Sequence, residues 1–198
     1  MGANVEKSGI KSKIGHSRNN VATIAVKGAA KAWSLALARA ARNTMGLELG
    51  LSALRQDRLS LAEVLELPPE RALVVMLEGP KEGLGLIVLA PEVLAGIVEM
   101  QMVGRVSQAA SPPRRPTRTD AAMVSGLIDK ALTGLEQDLL RDADLVWTSG
   151  FRYASFLEDA RPLALLLEDV TYQVLRAEVD LADGAKSGQI FLALPADG

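Results

Sequence analysis

Between Ala29 and Met45 the apolar residues fall on one side of a helical wheel. Trp33, Leu37, Ala40 and Ala41 are aligned there, and Gly46 follows as a left-handed stop. The period then drops to two. Leu47, Leu49, Leu51 and Ala53 alternate with Glu48, Gly50 and Ser52, which predicts a half-buried strand. Residues 60–65 predict a short helical turn ended by Pro68-Pro69. Residues 72–77 and 84–89 are strongly apolar and flank the turn 78–83, so they predict a hairpin buried on both faces. Pro91 then opens a helix at a position where its missing N–H costs nothing. Leu94, Ile97, Val98 and Gln101 share one face of it, and Gly104 closes it.

The order repeats after a loop, 107–118, that holds Pro112, Pro113 and Pro116 among Arg114, Arg115 and Arg118. Thr117 or Thr119 caps a helix, with Asp120 in its first turn placed favourably against the helix dipole. Met123, Leu127, Ile128, Ala131, Leu132, Leu135 and Leu139 follow at helical spacing. Strands are predicted at 145–156, 171–181 and 189–194, with a short apolar stretch at 163–167. The hexapeptide pattern Gly-x-Ile-x-Leu-Ala occurs in both parts, at Gly85–Ala90 and at Gly188–Ala193, each soon followed by a proline. The copies lie about 100 residues apart, beyond the period of short solenoid repeats. Together these signals predict one α/β domain: a pseudo-two-fold α/β/α sandwich of two helix-strand-strand-strand halves, about 28–106 and 117–198, around a mixed sheet. Residues 1–27, rich in Lys, Ser, Gly and Asn without periodicity, predict a disordered basic tail.

Composition narrows the chemistry. Hydrophobic residues make up 48% of the 198 and aromatic ones only 4%, so the core is aliphatic. The net charge of −2 divides into a tail at +4 and a remainder at −6, which gives no electrostatic reason to expect nucleic acid. The absence of cysteine excludes a disulfide frame and a thiolate nucleophile, and it fits a reducing compartment. No run approaches the ~18 apolar residues that span a bilayer, and no secretory signal opens the chain. The expectation is a cytoplasmic protein without membrane insertion.

Few residues are equipped for catalysis. The only histidine is His16, in the basic tail, so a histidine-based triad or metal cluster lacks its parts. Gly83-Leu84-Gly85 begins like a dinucleotide fingerprint, but Val88 stands where the third glycine belongs and a strand follows. Asp138, Asp142 and Asp144 beside Glu136, and the pairs Glu158-Asp159 and Glu168-Asp169, read as solvated faces and turns. Trp33 and Trp147 read as core, and the three loop arginines as a soluble linker. Neither cofactor nor metal is expected.

Several segments, in order over about 170 residues, resemble the middle domain of the flagellar motor switch protein FliM, within the superfamily that includes the CheC and CheX phosphatases. They are Met45-Gly46-Leu47-Glu48-Leu49, Ser60-Leu61-Ala62-Glu63-Val64-Leu65 with Leu67-Pro68-Pro69, Thr117-Arg118-Thr119-Asp120, and the closing run from Ala185 to Pro195. The resemblance implies a CheC-like fold and a non-enzymatic subunit of the rotor C-ring, at the inner face of the cell membrane. Such a subunit binds a FliG-like torque-ring protein, a FliN-like protein and neighbouring copies of itself, in motility and chemotaxis. The family's Gly-Gly-x-Gly contact with FliG aligns with Met102-Val103-Gly104-Arg105-Val106, which keeps one glycine, so Val103, Gly104 and Arg105 are the implied partner-binding residues. The tail lacks the family's acidic-apolar segment, so a CheY-like regulator is not expected to bind through it. The family continues into a FliN-like domain beyond the position of Gly198. The alternative implied by the superfamily is a phosphatase with Glu-x-x-Asn on a helix, or a module that binds a response regulator through the arginine-rich loop. The two helices carry Ala40 with Asn43 and Gly126 with Asp129 at those positions, so neither holds the pair.

Overall fold

A computed structural model describes residues 28–197; the tail 1–27 expected to be disordered lies outside them. The elements run α1 (Ala29–Met45), β1 (Leu49–Ser60), α2 (Leu61–Leu65), β2 (Leu73–Glu78), β3 (Leu84–Leu89), α3 (Pro91–Val103), α4 (Arg118–Asp138), α5 (Leu145–Thr148), β4 (Arg152–Leu157), α6 (Leu163–Leu166), β5 (Thr171–Leu181) and β6 (Lys186–Pro195). A 3-10 turn at Pro80–Glu82 joins β2 to β3.

The six strands form one sheet in the order β1-β5-β6-β3-β2-β4. Exchanging first-half for second-half strands and reversing the list returns the same order, which is the mark of an internal two-fold axis. At its centre Val88 pairs with Phe191, and these are the fourth residues of the two Gly-x-Ile-x-Leu-Ala copies. The repeated hexapeptides therefore face one another, and the axis passes between them. Every strand pair is antiparallel, which corrects the mixed sheet expected above. Two neighbours related by a two-fold axis normal to the sheet must run in opposite directions, β2–β3 and β5–β6 are hairpins, and the axis exchanges the β1–β5 pair with the β4–β2 pair, so those two share one sense.

Side chains on the central strands alternate between two cores. Leu73, Val75, Leu77, Ile87, Leu89, Ile190, Leu192 and Leu194 face α1, α3, α4 and α5. Val74, Met76, Leu86, Val88, Phe191 and Ala193 face the opposite side, where α2 and α6 contribute Val64 and Leu163. Both β2 and β3 are buried on both faces, as their unbroken apolar runs predict. Helices α1 and α4 run against each other over the first core, with small residues at the crossing. A Cβ built on Gly134 would lie 3.2 Å from that of Ala36.

Two elements depart most from the sequence reading. The stretch 145–156 is not one strand. Residues Leu145–Thr148 form a helical turn that buries Trp147 and Thr148, and Gly150 at φ +81° reverses the chain before β4. Strand β1 extends to Ser60, past its alternating start, because β5 pairs along nearly its whole length across a bulge at Ala53. Ser60 then caps α2 through a reciprocal box with Glu63.

Candidate functional site

The residues implied as partner-binding end α3. Pro91 occupies its first turn, and Val93, Leu94, Gly96, Ile97 and Val98 form its buried face. In the last turn the burial stops. Met102 is 72% and Val103 68% exposed. Gly104 ends the helix in the left-handed region, at φ +72°, and donates its N–H to the Met100 carbonyl. That conformation is cheap only for glycine, and no atom stands within 4 Å of where a Cβ would be. Arg105 follows, exposed, with no ion-pair partner among the described residues. Gln101, at the end of the face it shares with Leu94, Ile97 and Val98, is exposed too, and its amide donates to the Met123 carbonyl of α4 at 2.7 Å. The arrangement is an apolar knob with a cation beside it, on a helix end braced against α4. It can bind a surface; it has no group suited to bond-breaking.

The loop 107–116 crosses α3 and leads into α4. Thr117 caps α4 in a box with Asp120: the Thr117 backbone N–H and hydroxyl donate to Asp120 Oδ2 at 2.8 Å each. Arg114 adds a bidentate pair at 2.6 Å to both Asp120 oxygens. Asp120 is 3% exposed. The Arg114 guanidinium, aided by Thr117, holds its carboxyl at about 2, against burial, which pushes it up. Arg114 is therefore part of a helix cap and not a free linker cation. Arg71, held at φ +61°, ties down the same loop through a 2.7 Å bond to the Pro113 carbonyl.

Asn43 and Asp129, from the two positions implied for phosphatase chemistry, line one open groove between α1 and α4 with Ala40, Thr133 and Gly134. Asp129 Oδ1 accepts the Tyr153 backbone N–H at 2.8 Å, which anchors α4 to the edge strand β4. Burial first, then the Asp129 charge, pushes the Tyr153 phenol up. The Glu-x-x-Asn pair expected of the phosphatase alternative is not formed on either helix: Ala40 and Gly126 stand at the acid position, and Asp129 replaces the asparagine in α4. Among the described residues no group of three His, Cys, Asp or Glu side chains could hold a metal.

The acidic cluster after α4 is more structural than its sequence suggests. Asp144 Oδ2 accepts the Ala29 N–H that opens α1, 115 positions away in the chain, and its Oδ1 accepts the Trp147 indole N–H at 2.9 Å. Asp138 pairs with Arg39 across the groove. Only the local Thr-x-x-Asp spacing at 117–120 had a legible signal; long-range partners leave none.

The duplicated antiparallel sheet, with its long helices gathered on one face, defines a CheC-like α/β fold. Among solved structures, the chain is similar to FliM middle domains and to FliY. The FliM of a FliG–FliM complex from H. pylori superposes with a TM-score of 0.62 at 13% identity, covering 85% of this chain and 87% of that one. The FliM middle domain from Vibrio alginolyticus gives 0.59 at 14%, covering 85% and 94%. Thermotoga maritima FliY gives 0.57 at 14%, covering 84% and 85%. At such identities what is shared is the fold. No protein-family model matches the chain, and no curated protein matches it in sequence.

Proposed function

We propose that this chain is a non-enzymatic building block of a flagellar motor switch, a C-ring subunit that binds a FliG-like protein through the end of α3 and packs beside copies of itself. One observation carries the reading. On a fold that matches FliM middle domains over about 85% of the chain, an exposed apolar helix end, Met102-Val103-Gly104-Arg105, occupies the segment that the family resemblance assigns to FliG. One of the similar structures is itself a FliG–FliM complex. A FliN-like neighbour and a place at the inner face of the cell membrane follow from the same role. Among the described residues no helix is long and apolar enough to cross a membrane, which suits a peripheral station.

The test is binding of the purified chain to a FliG-like middle domain, with Gly104→Trp as the variant. Space around Gly104 is open, so the cost to stability is the left-handed backbone alone, about 1 kcal/mol. Affinity is expected to fall at least a hundredfold while the melting temperature moves only a few degrees. Unchanged affinity removes this surface from the interface. Dephosphorylation of a response regulator above its spontaneous rate would replace the scaffold reading with the phosphatase one.

A further inference from the structure

We infer that Lys186 is a positioning residue for the α3 partner surface, a buried ammonium that pins the loop behind Gly104 and so holds Arg105 and the chain after it against the helix end that carries Met102 and Val103. The inference deepens the proposed function and rests on it for its consequence, though not for its geometry.

Lys186 opens β6 and is only 8% exposed, one of three polar residues buried among the described ones. Its stem runs under α3 beside Gly96, where a Cβ would lie 3.4 Å from Lys186 Cδ. Its Nζ donates to the Ser107 carbonyl at 2.7 Å and to the Ala109 carbonyl at 2.9 Å, and stands 3.3 Å from Glu99 Oε1. Glu99, on α3, takes the Ser107 N–H on Oε2 at 2.8 Å and the Ser111 hydroxyl on Oε1 at 3.1 Å. The buried ammonium thus has two carbonyl acceptors and a charge partner, and both oxygens of the half-buried carboxylate are engaged. Burial alone would raise the Glu99 carboxyl, yet the Ser107 N–H, Lys186 and Ser111 hold it below its ordinary value.

What this network grips is a segment with little else to hold it. From Gln101 to Ala110 every residue is exposed except the half-buried Val106, and after Gly104 there is no regular structure until α4. A stretch with so few apolar contacts opens by local unfolding unless polar bonds close it. A leucine or methionine at 186 would fill the same slot under α3 but could not bond two carbonyls of the loop. Release of the loop would free the chain on the C-terminal side of Gly104, and a partner would then have to reorder it on binding.

The test is made on the full chain with K186M. Amide hydrogen exchange over 104–111 is expected to speed up at least tenfold, with the core strands unchanged, and affinity for a FliG-like domain to fall about tenfold. Because the chain has no cysteine, K186C alkylated while unfolded with 2-bromoethylamine and then refolded restores an ammonium of nearly the same reach. That adduct should recover both readouts, whereas alkylation with neutral iodoacetamide should not. Should K186M fold poorly, E99Q keeps an acceptor for the Ser107 N–H and should show a smaller loss at the same amides. Unchanged exchange in K186M, or equal rescue by the neutral adduct, overturns the pin. Faster exchange with unchanged affinity overturns its link to the partner surface. Failure of the wild type to bind overturns the switch reading alone, because exchange is read without a partner.

Discussion

The two halves of the molecule share a topology but not a finish. Each supplies one long helix to the same face of the sheet, one edge strand, one short helix to the other face and one central hairpin. The first half then adds α3 and its exposed end, and no described element follows β6 in the second. The helices are also capped by different means. Thr117 caps α4 from the adjacent residue, while α1 borrows Asp144 from the other half. Duplication accounts for the sheet and its two long helices, whereas α3, which has no counterpart after β6, adds Val93, Leu94 and Ile97 to the core and carries the surface proposed above for a partner.

The comparison is tested most severely at the centre of the sheet. Ile87 and Ile190 hold the same place in the two hexapeptides, both face the long helices, and they are 0% and 3% exposed. Replacing either by alanine should cost about 2–5 kcal/mol in denaturant unfolding. The two losses should agree within ~1 kcal/mol if the halves are energetically equivalent, and a wide difference would confine the equivalence to topology.

The first glycines of the same hexapeptides should not behave alike. A Cβ on Gly85 would meet the Ala193 carbonyl oxygen at 2.9 Å and Leu194 Cδ2 at 2.5 Å, so G85A should lose about 1–3 kcal/mol. On Gly188 the nearest atoms are Val93 Cγ2 and Ala90 Cβ, at 3.1 and 3.2 Å, a crowding relieved by a few tenths of an ångström, and G188A should change stability by less than ~1 kcal/mol. Equal effects would mean that the asymmetric packing of α3 near β6 does not matter.

The smallest expected effect is acid sensitivity of the α4 cap. Asp120 titrates at about 2 in the folded chain and at the usual 3.8 when unfolded. Its contribution is therefore complete above about pH 4 and is lost as pH falls through about 2. Arg114 is more than half exposed, so the contribution should be near ~1 kcal/mol. The stability gap between wild type and D120N should shrink over that window, and a gap independent of pH would assign the cap to neutral hydrogen bonds.

Much of this was legible in the chain. The helical period of 29–45 and 118–138, the unbroken apolar runs of β2 and β3, and the left-handed stops at Gly46 and Gly104 are local patterns, and the structure keeps them. The apolar run at 145–148 misled because four residues are too few to tell a helical period from an alternating one. Bonds from Lys186 to Ser107, and from Asp144 to Ala29, join positions 79 and 115 residues apart and had no signal at all.

By itself the sequence determined the repeat, most of the elements and the two-sided burial of the β2–β3 hairpin, because hydrophobic period and turn chemistry act over a few residues. Only the tertiary structure decided that the repeats meet head to head, that every strand pair is antiparallel, and which charges lie buried. Those outcomes depend on which distant segments come into contact, and a two-fold axis or a buried ammonium exists only once they have met.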